Sequence, residues 1–130
     1  MNDTDLLHQF SQWIDDALSS SLPEGVVAFN FNMYDASTSH DIELVGCLAY
    51  DPKNEDWACD PVFMSKKPRF EIPHADEDEN WEQGLERATQ ILRAYVAGDS
   101  AGARRLREAQ AVCVGFVDGH LKGVWSHGDA

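Results

Sequence analysis

The first 60 residues contain one basic side chain, Lys53, against twelve carboxylates. This half of the chain therefore carries −11, the remaining 70 residues hold eleven acids against nine bases, and the whole carries −13. Such an imbalance speaks to solubility, association rate and the sign of a partner rather than to fold. Either the charge keeps an acidic cytosolic protein in solution or it is a surface built to meet something positive. The clustered basic residues Arg104, Arg105 and Arg107 sit on a strongly negative domain, so a phosphate-reading surface, and with it nucleic-acid binding, is excluded.

Other absences narrow the field. No stretch approaches the roughly 18 apolar residues that span a bilayer, and the start, MNDTDLLHQF, lacks the basic and apolar regions of a signal peptide. A cytoplasmic protein with no membrane contact is expected. Three cysteines, Cys47, Cys59 and Cys113, form no CxxC pair and are expected to be reduced, buried small hydrophobes. His8, His40, His74, His120 and His127 show no HxxxH or HExxH spacing, so no zinc motif is read and no cofactor is expected. GxGxxG, GxxxxGK[ST] and GxSxG are all missing, which disfavours phosphate loops and a serine elbow. A nucleophilic Cys59 is disfavoured because Glu55, Asp56 and Asp60 would raise its thiol pKa.

What the chain does have is enough apolar matter to fold. Hydrophobic residues make up 43% of it and thirteen are aromatic, which offsets ordering entropy and excludes disorder. One domain over residues 1–130 is expected, burying about two-thirds of the unfolded surface. Leu6, Leu7, Phe10, Trp13, Ile14, Ala17 and Leu18 make a helical stripe, with Asp3, Thr4 or Asp5 as the cap and residues 19–23 as its end. The period then changes to two: Val27, Phe29, Phe31 and Met33 share one face, and Asn30, Asn32 and Tyr34 the other, of a half-buried strand. A run from Asp41 to Tyr50 places Ile42, Leu44 and Leu48 together, pairing with the first in an antiparallel hairpin. Prolines break residues 51–78 into short pieces, of which Pro61–Met64 and Arg69–Ile72 are expected as edge strands.

The strongest stripe is Trp81, Leu85, Ala88, Leu92, Tyr95 and Val96, with the acids 76–79 complementing the helix start and Gly98 at its stop. A basic helix over 100–109 is expected to neutralise nearby acids. Asp118-Gly119 signals a two-residue hairpin turn that aligns Phe116 with Leu121, Val114 with Gly123 and Val112 with Trp125. The expected fold is α+β: an antiparallel sheet of four to six strands with two or three amphipathic helices mainly on one face, the other face open to a partner.

The run Phe29 to Asp35, the strand Ile42 to Gly46, the block Glu55-Asp56-Trp57-Ala58-Cys59-Asp60 and the closing Val114 to Gly119 resemble small immunity proteins of bacterial polymorphic toxin systems. These include the partners of contact-dependent growth inhibition toxins. The resemblance implies a small acidic cytosolic antitoxin that binds and neutralises a cognate toxin domain stoichiometrically, without catalysis. Charge implies that the toxin is basic and nuclease-like, because carboxylates can occupy a phosphate groove and speed association. The expected toxin-binding residues are Tyr34, Asp35, Asp51, Glu55, Asp56, Trp57 and Asp60, with Tyr34 and Asp35 within reach of Asp51. Trp57 is expected in a short strand or tight turn, tucked against the core or serving as an aromatic anchor inside an electrostatic rim. No metal ligand is assigned, and the protein is expected to be a monomer or weak homodimer. Two rivals remain: a small hydrolase using the Asp51 to Asp60 carboxylates with a divalent ion, and a structural homodimer that buries its open sheet face.

Overall fold

The alternation around residues 28–35 becomes the spine of the molecule. The computed structural model describes residues 3–19, 22–65, 69–117 and 119–126. Strand β1, Ala28–Asp35, follows a turn at Gly25 whose φ of +88° suits a residue without a Cβ. It pairs antiparallel with β2, Ser39–Cys47, and on its other edge parallel with β5, Ala111–Phe116. Two short strands, β3 at Phe63–Met64 and β4 at Phe70–Pro73, pair with opposite ends of β2, and β6, Lys122–Ser126, closes the far edge against β5. The sheet thus has six strands in a mostly antiparallel α+β fold. Its one parallel pair arises because the chain passes through both later helices before returning beside β1.

Helices α1 (Asp3–Ser19), α2 (Trp81–Val96) and α3 (Ala101–Arg107) bury their stripes against Phe29, Phe31 and Met33 of β1 and the residues level with them. Phe10 of α1 is the hub. It lies 5.2–5.9 Å, centroid to centroid, from Trp13, Phe31, Phe70 and Tyr95, distances at which tilted and edge-on rings attract beyond their burial. Helix α2 is started by a reciprocal capping box, Asn80 accepting from the Gln83 amide while Gln83 accepts from the Asn80 amide. The cap is thus Asn80, with the acids 76–79 just ahead of it.

Several expectations are corrected. Thr4 and Asp5 lie inside α1, which starts at Asp3, rather than ahead of it. Leu48 falls just beyond β2 and is exposed. Trp81 is also exposed, its ring meeting Phe116 in a T-shaped contact at 6.3 Å. Among the described residues, Arg104, Arg105 and Arg107 make no ion pair with an acid: they donate to the carbonyls of Asp99, of Val26, and of Val96 and Gly98 respectively. Carbonyls at a helix end lack intrahelical partners, and guanidinium groups satisfy them. The last hairpin keeps Val112 opposite Trp125 but sets Val114 opposite Lys122, because a bulge between Val112 and Cys113 shifts the register. Its connection is longer than two residues, since the Leu121 amide donates to Glu55 instead of entering the ladder. Asp118 lies outside the described residues.

Replacing Phe10 by Ala should lower unfolding free energy by about 3–5 kcal/mol, the range for deleting a buried aromatic. Urea denaturation followed by Trp fluorescence checks this, and a loss below about 1 kcal/mol would mean that Phe10 is not the hub.

Candidate functional site

The even-numbered residues of β1 face away from the helices and build a polar strip. Asn30 donates to Asn32 at 2.7 Å, Tyr34 donates its hydroxyl to Glu43 Oε1 at 3.0 Å, and the Arg69 guanidinium lies 3.6 Å over the Tyr34 ring. Glu43 Oε2 also stands 3.9 Å from Arg69 Nε. Both Asn30 and Glu43 are buried, and Asn30 Oδ1 and Arg69 Nε have no hydrogen-bond partner. Burial, together with the bond to Glu43 and its charge, pushes the Tyr34 phenol up.

The segment after β2 folds back over this strip. Asp51 accepts from the Lys53 amide and Asn54 from the Asp56 amide, two local turns that start the 3-10 helix Glu55–Cys59. Its first residue, Glu55, pins it: the carboxylate accepts from the Leu121 amide at 2.8 Å and sits 3.3 Å from His120. The Leu121 amide first, and His120 second, hold the Glu55 carboxyl below its ordinary range against the effect of burial. Between strip and segment lies a groove of about 470 Å³.

Of the expected contact residues, Tyr34, Glu55 and Asp56 line this groove. Asp51 and Asp60 are exposed on the same segment. Of the two expected settings for Trp57, the tight turn is the one found, as a 3-10 helix, but the side chain is half-buried and meets Tyr50 edge-on at 5.3 Å instead of joining the core. Tyr34 meets Glu43 rather than Asp51. Asp35, one residue on, faces the opposite side of the sheet. Beside the acids, Leu48, Val62 and Met64 present exposed apolar side chains around the β2–β3 edge.

Asp35 belongs to a second cluster. Its Oδ1 lies 3.4 Å from His40 Nδ1 and 3.6 Å from His74 Nε2, and the two imidazoles are tilted by 40° with centroids 4.3 Å apart. The other His40 nitrogen, Nε2, is 3.0 Å from Glu79, which Arg87 grips through both carboxylate oxygens at 2.9 Å. Burial pushes the Glu79 pKa up, but the bond and charge of Arg87, the Ala75 amide and His40 outweigh it and hold the carboxyl low. Helix α2 reaches the imidazole at Gly84, where a Cβ would stand 2.3 Å from His40 Nε2. Asp35 also lines a cavity of about 610 Å³ beside Trp81, Leu85, Phe116 and the residues 119–122. Among the described residues, Asp35, His40 and His74 are the one group of three or more His, Cys, Asp or Glu with donor atoms within 4.8 Å of one another. The Asp51 to Asp60 carboxylates do not converge in this way.

Comparison of the chain with protein-family models, with curated proteins and with solved structures found no match. Among the described residues, no helix is long and apolar enough to cross a membrane.

Cys59 corrects the expectation of three buried thiols. It is exposed, whereas Cys47 and Cys113 are buried in the sheet, and all three are free. Burial, aided by the nearby Asp60 and Cys59, pushes the Cys47 thiol up to about 11, and burial with Glu55 does the same for Cys113. In the unfolded chain both thiols ionise near 9, so above that pH the unfolded state loses protons first. Stability should be level below pH 9 with respect to these groups and fall from there toward 11. Denaturation midpoints across pH 7–11 check the slope, and Cys47→Ala with Cys113→Ala should flatten it. At pH 8 an aromatic disulfide reagent should modify Cys59 alone.

Proposed function

We propose that this protein is an immunity protein, an antitoxin that binds and neutralises a basic, nuclease-like toxin domain through the acidic segment 51–60 and the surface around it. The observation that carries this reading is the fixed presentation of that segment. Glu55 ties it down through Leu121, leaving Asp51, Asp56 and Asp60 in solvent next to the exposed Leu48, Val62 and Met64. Apolar contact area beside a carboxylate rim suits a protein partner of opposite charge, the apolar part slowing dissociation and the charges speeding encounter. The arginines of α3 support it too, because they are held on backbone carbonyls and leave the acids uncompensated. The resemblance to immunity proteins of polymorphic toxin systems points the same way.

Two observations favour this reading over its rivals. A hydrolase built on the Asp51 to Asp60 carboxylates requires them to converge on one ion or water, whereas Asp51 and Glu55 are engaged with the Lys53 and Leu121 amides. A homodimer through the open sheet face would need an apolar surface, whereas that face is the hydrogen-bonded strip of Asn30, Asn32, Tyr34 and Glu43, half covered by its own chain. Action inside the cell, where such an antitoxin would meet its toxin, belongs to the same proposal.

The double substitution Asp56→Lys, Asp60→Lys tests the surface. Binding to the product of the neighbouring gene, followed by surface plasmon resonance at about 0.1 M salt, where the screening length is about 10 Å, should show an association rate at least tenfold lower. The dissociation rate and the thermal midpoint should change little, since both side chains are exposed. At about 1 M salt, with screening near 3 Å, wild type and variant should converge. An unchanged association rate with retained protection would remove the segment as the binding site.

A further inference from the structure

Asp35, His40 and His74 bring three donor atoms within 4.8 Å of one another. His40 is 1% exposed, and both His40 Nδ1 and His74 Nε2 are shielded from water without a hydrogen-bond partner. Each is aimed at the same oxygen, Asp35 Oδ1, at 3.4 and 3.6 Å. Buried nitrogens left unpaired are costly unless something else completes them. An ion with bonds of about 2.0–2.1 Å places the donors of a tetrahedron about 3.4 Å apart, which matches the two separations to Asp35.

The surroundings are those of a metal ligand in its reactive tautomer. Glu79, gripped by Arg87, lies 3.0 Å from His40 Nε2, and in the tautomer that donates to it the Nδ1 lone pair is free to hold an ion. Arg87 also donates to the Pro73 carbonyl at 3.0 Å, fixing the backbone just before His74. Gly84 admits the helix against the imidazole, which locks the ring orientation. We propose that Asp35, His40 and His74 form a binding site for a divalent late transition-metal ion, zinc being the best fit to two imidazoles and one carboxylate. Zinc sites with three protein ligands keep a fourth position for water or a small ligand. Asp35, with 58% of its side chain exposed, carries the site to the 610 Å³ cavity, so that position is reachable. The donor set is too rich in nitrogen for magnesium or calcium, which prefer oxygen ligands. This inference does not rest on the toxin-binding reading.

Titration of the chelator-treated full chain with zinc chloride by calorimetry tests it. One ion per chain at micromolar or tighter affinity is expected, with no heat from magnesium or calcium chloride. Cobalt(II) should give the visible absorption of a four-coordinate ion. Asp35→Asn, at a largely exposed side chain, and His74→Asn should each weaken zinc binding more than tenfold while circular dichroism stays unchanged. Glu79→Gln should weaken it about 10- to 100-fold, the usual effect of losing an outer hydrogen-bond partner. Absence of zinc binding, a response to magnesium or calcium instead, or equal affinity in the Asp35→Asn and His74→Asn variants would each overturn the proposal.

Discussion

Everything on either face of this sheet depends on β1 being paired along both edges. With β2 on one side and β5 on the other, its backbone groups are used and no side chain from Ala28 to Met33 except Asn32 escapes deep burial. A strand so placed cannot slip by one residue without exchanging its phenylalanines for its asparagines. The alternation Phe29-Asn30-Phe31-Asn32-Met33-Tyr34 therefore fixes which face collects the helices and which carries the polar strip. The acidic groove and the helix-packed core are two consequences of one period-two pattern.

The distribution of charge has a similar origin. Acids are concentrated in the first 60 residues, yet a folded protein could still cancel them by placing later arginines nearby. Arg69 does approach Glu43, but Arg104, Arg105 and Arg107 lie where α2, α3 and the β1 entrance leave carbonyls without partners. Guanidinium groups in such positions are spent on backbone structure. The arginines of α3 thus do not damp the field of the segment 51–60, and surface pairs with flexible cations would have done so only modestly.

Much of the fold was legible in the sequence wherever one periodicity ran unbroken. The stripe from Trp81 to Val96 coincides with α2, and the alternating runs give β1, β2 and β5 to within a few residues. The proline-broken pieces Pro61–Met64 and Arg69–Ile72 do contain edge strands, because their missing amides cost least there. The 3-10 helix was not legible, since Glu55–Cys59 has no repeat long enough to show a period. The last hairpin turn was misjudged because Asp118-Gly119 is only a local signal, overridden by Glu55 some 65 residues away taking the Leu121 amide. The histidine cluster escaped for a related reason. Metal motifs are recognised by spacing within one helix or loop, whereas His40 and His74 are brought together by the pairing of β2 with β4. The one available hint was chemical: a histidine alternating with Ile42 and Leu44 on the apolar face.

Tyr34 and Asp35 show how far the two candidate sites are separated although they are neighbours in sequence. The period of the strand turns Tyr34 onto the polar strip beneath the acidic segment and Asp35 toward His40 and His74. A partner seated on the groove would meet Tyr34 from the open face without reaching the imidazoles, which lie under α2 on the other side. An ion held there would in turn consume the Asp35 charge, leaving the field toward a basic partner to Asp51, Glu55, Asp56 and Asp60. The sheet itself is what joins the two: His40 closes the β1–β2 hairpin against Asp35 and His74 follows β4. An ion there would brace the end of β2 opposite to the one that launches the acidic segment, acting on its rigidity rather than on its charge.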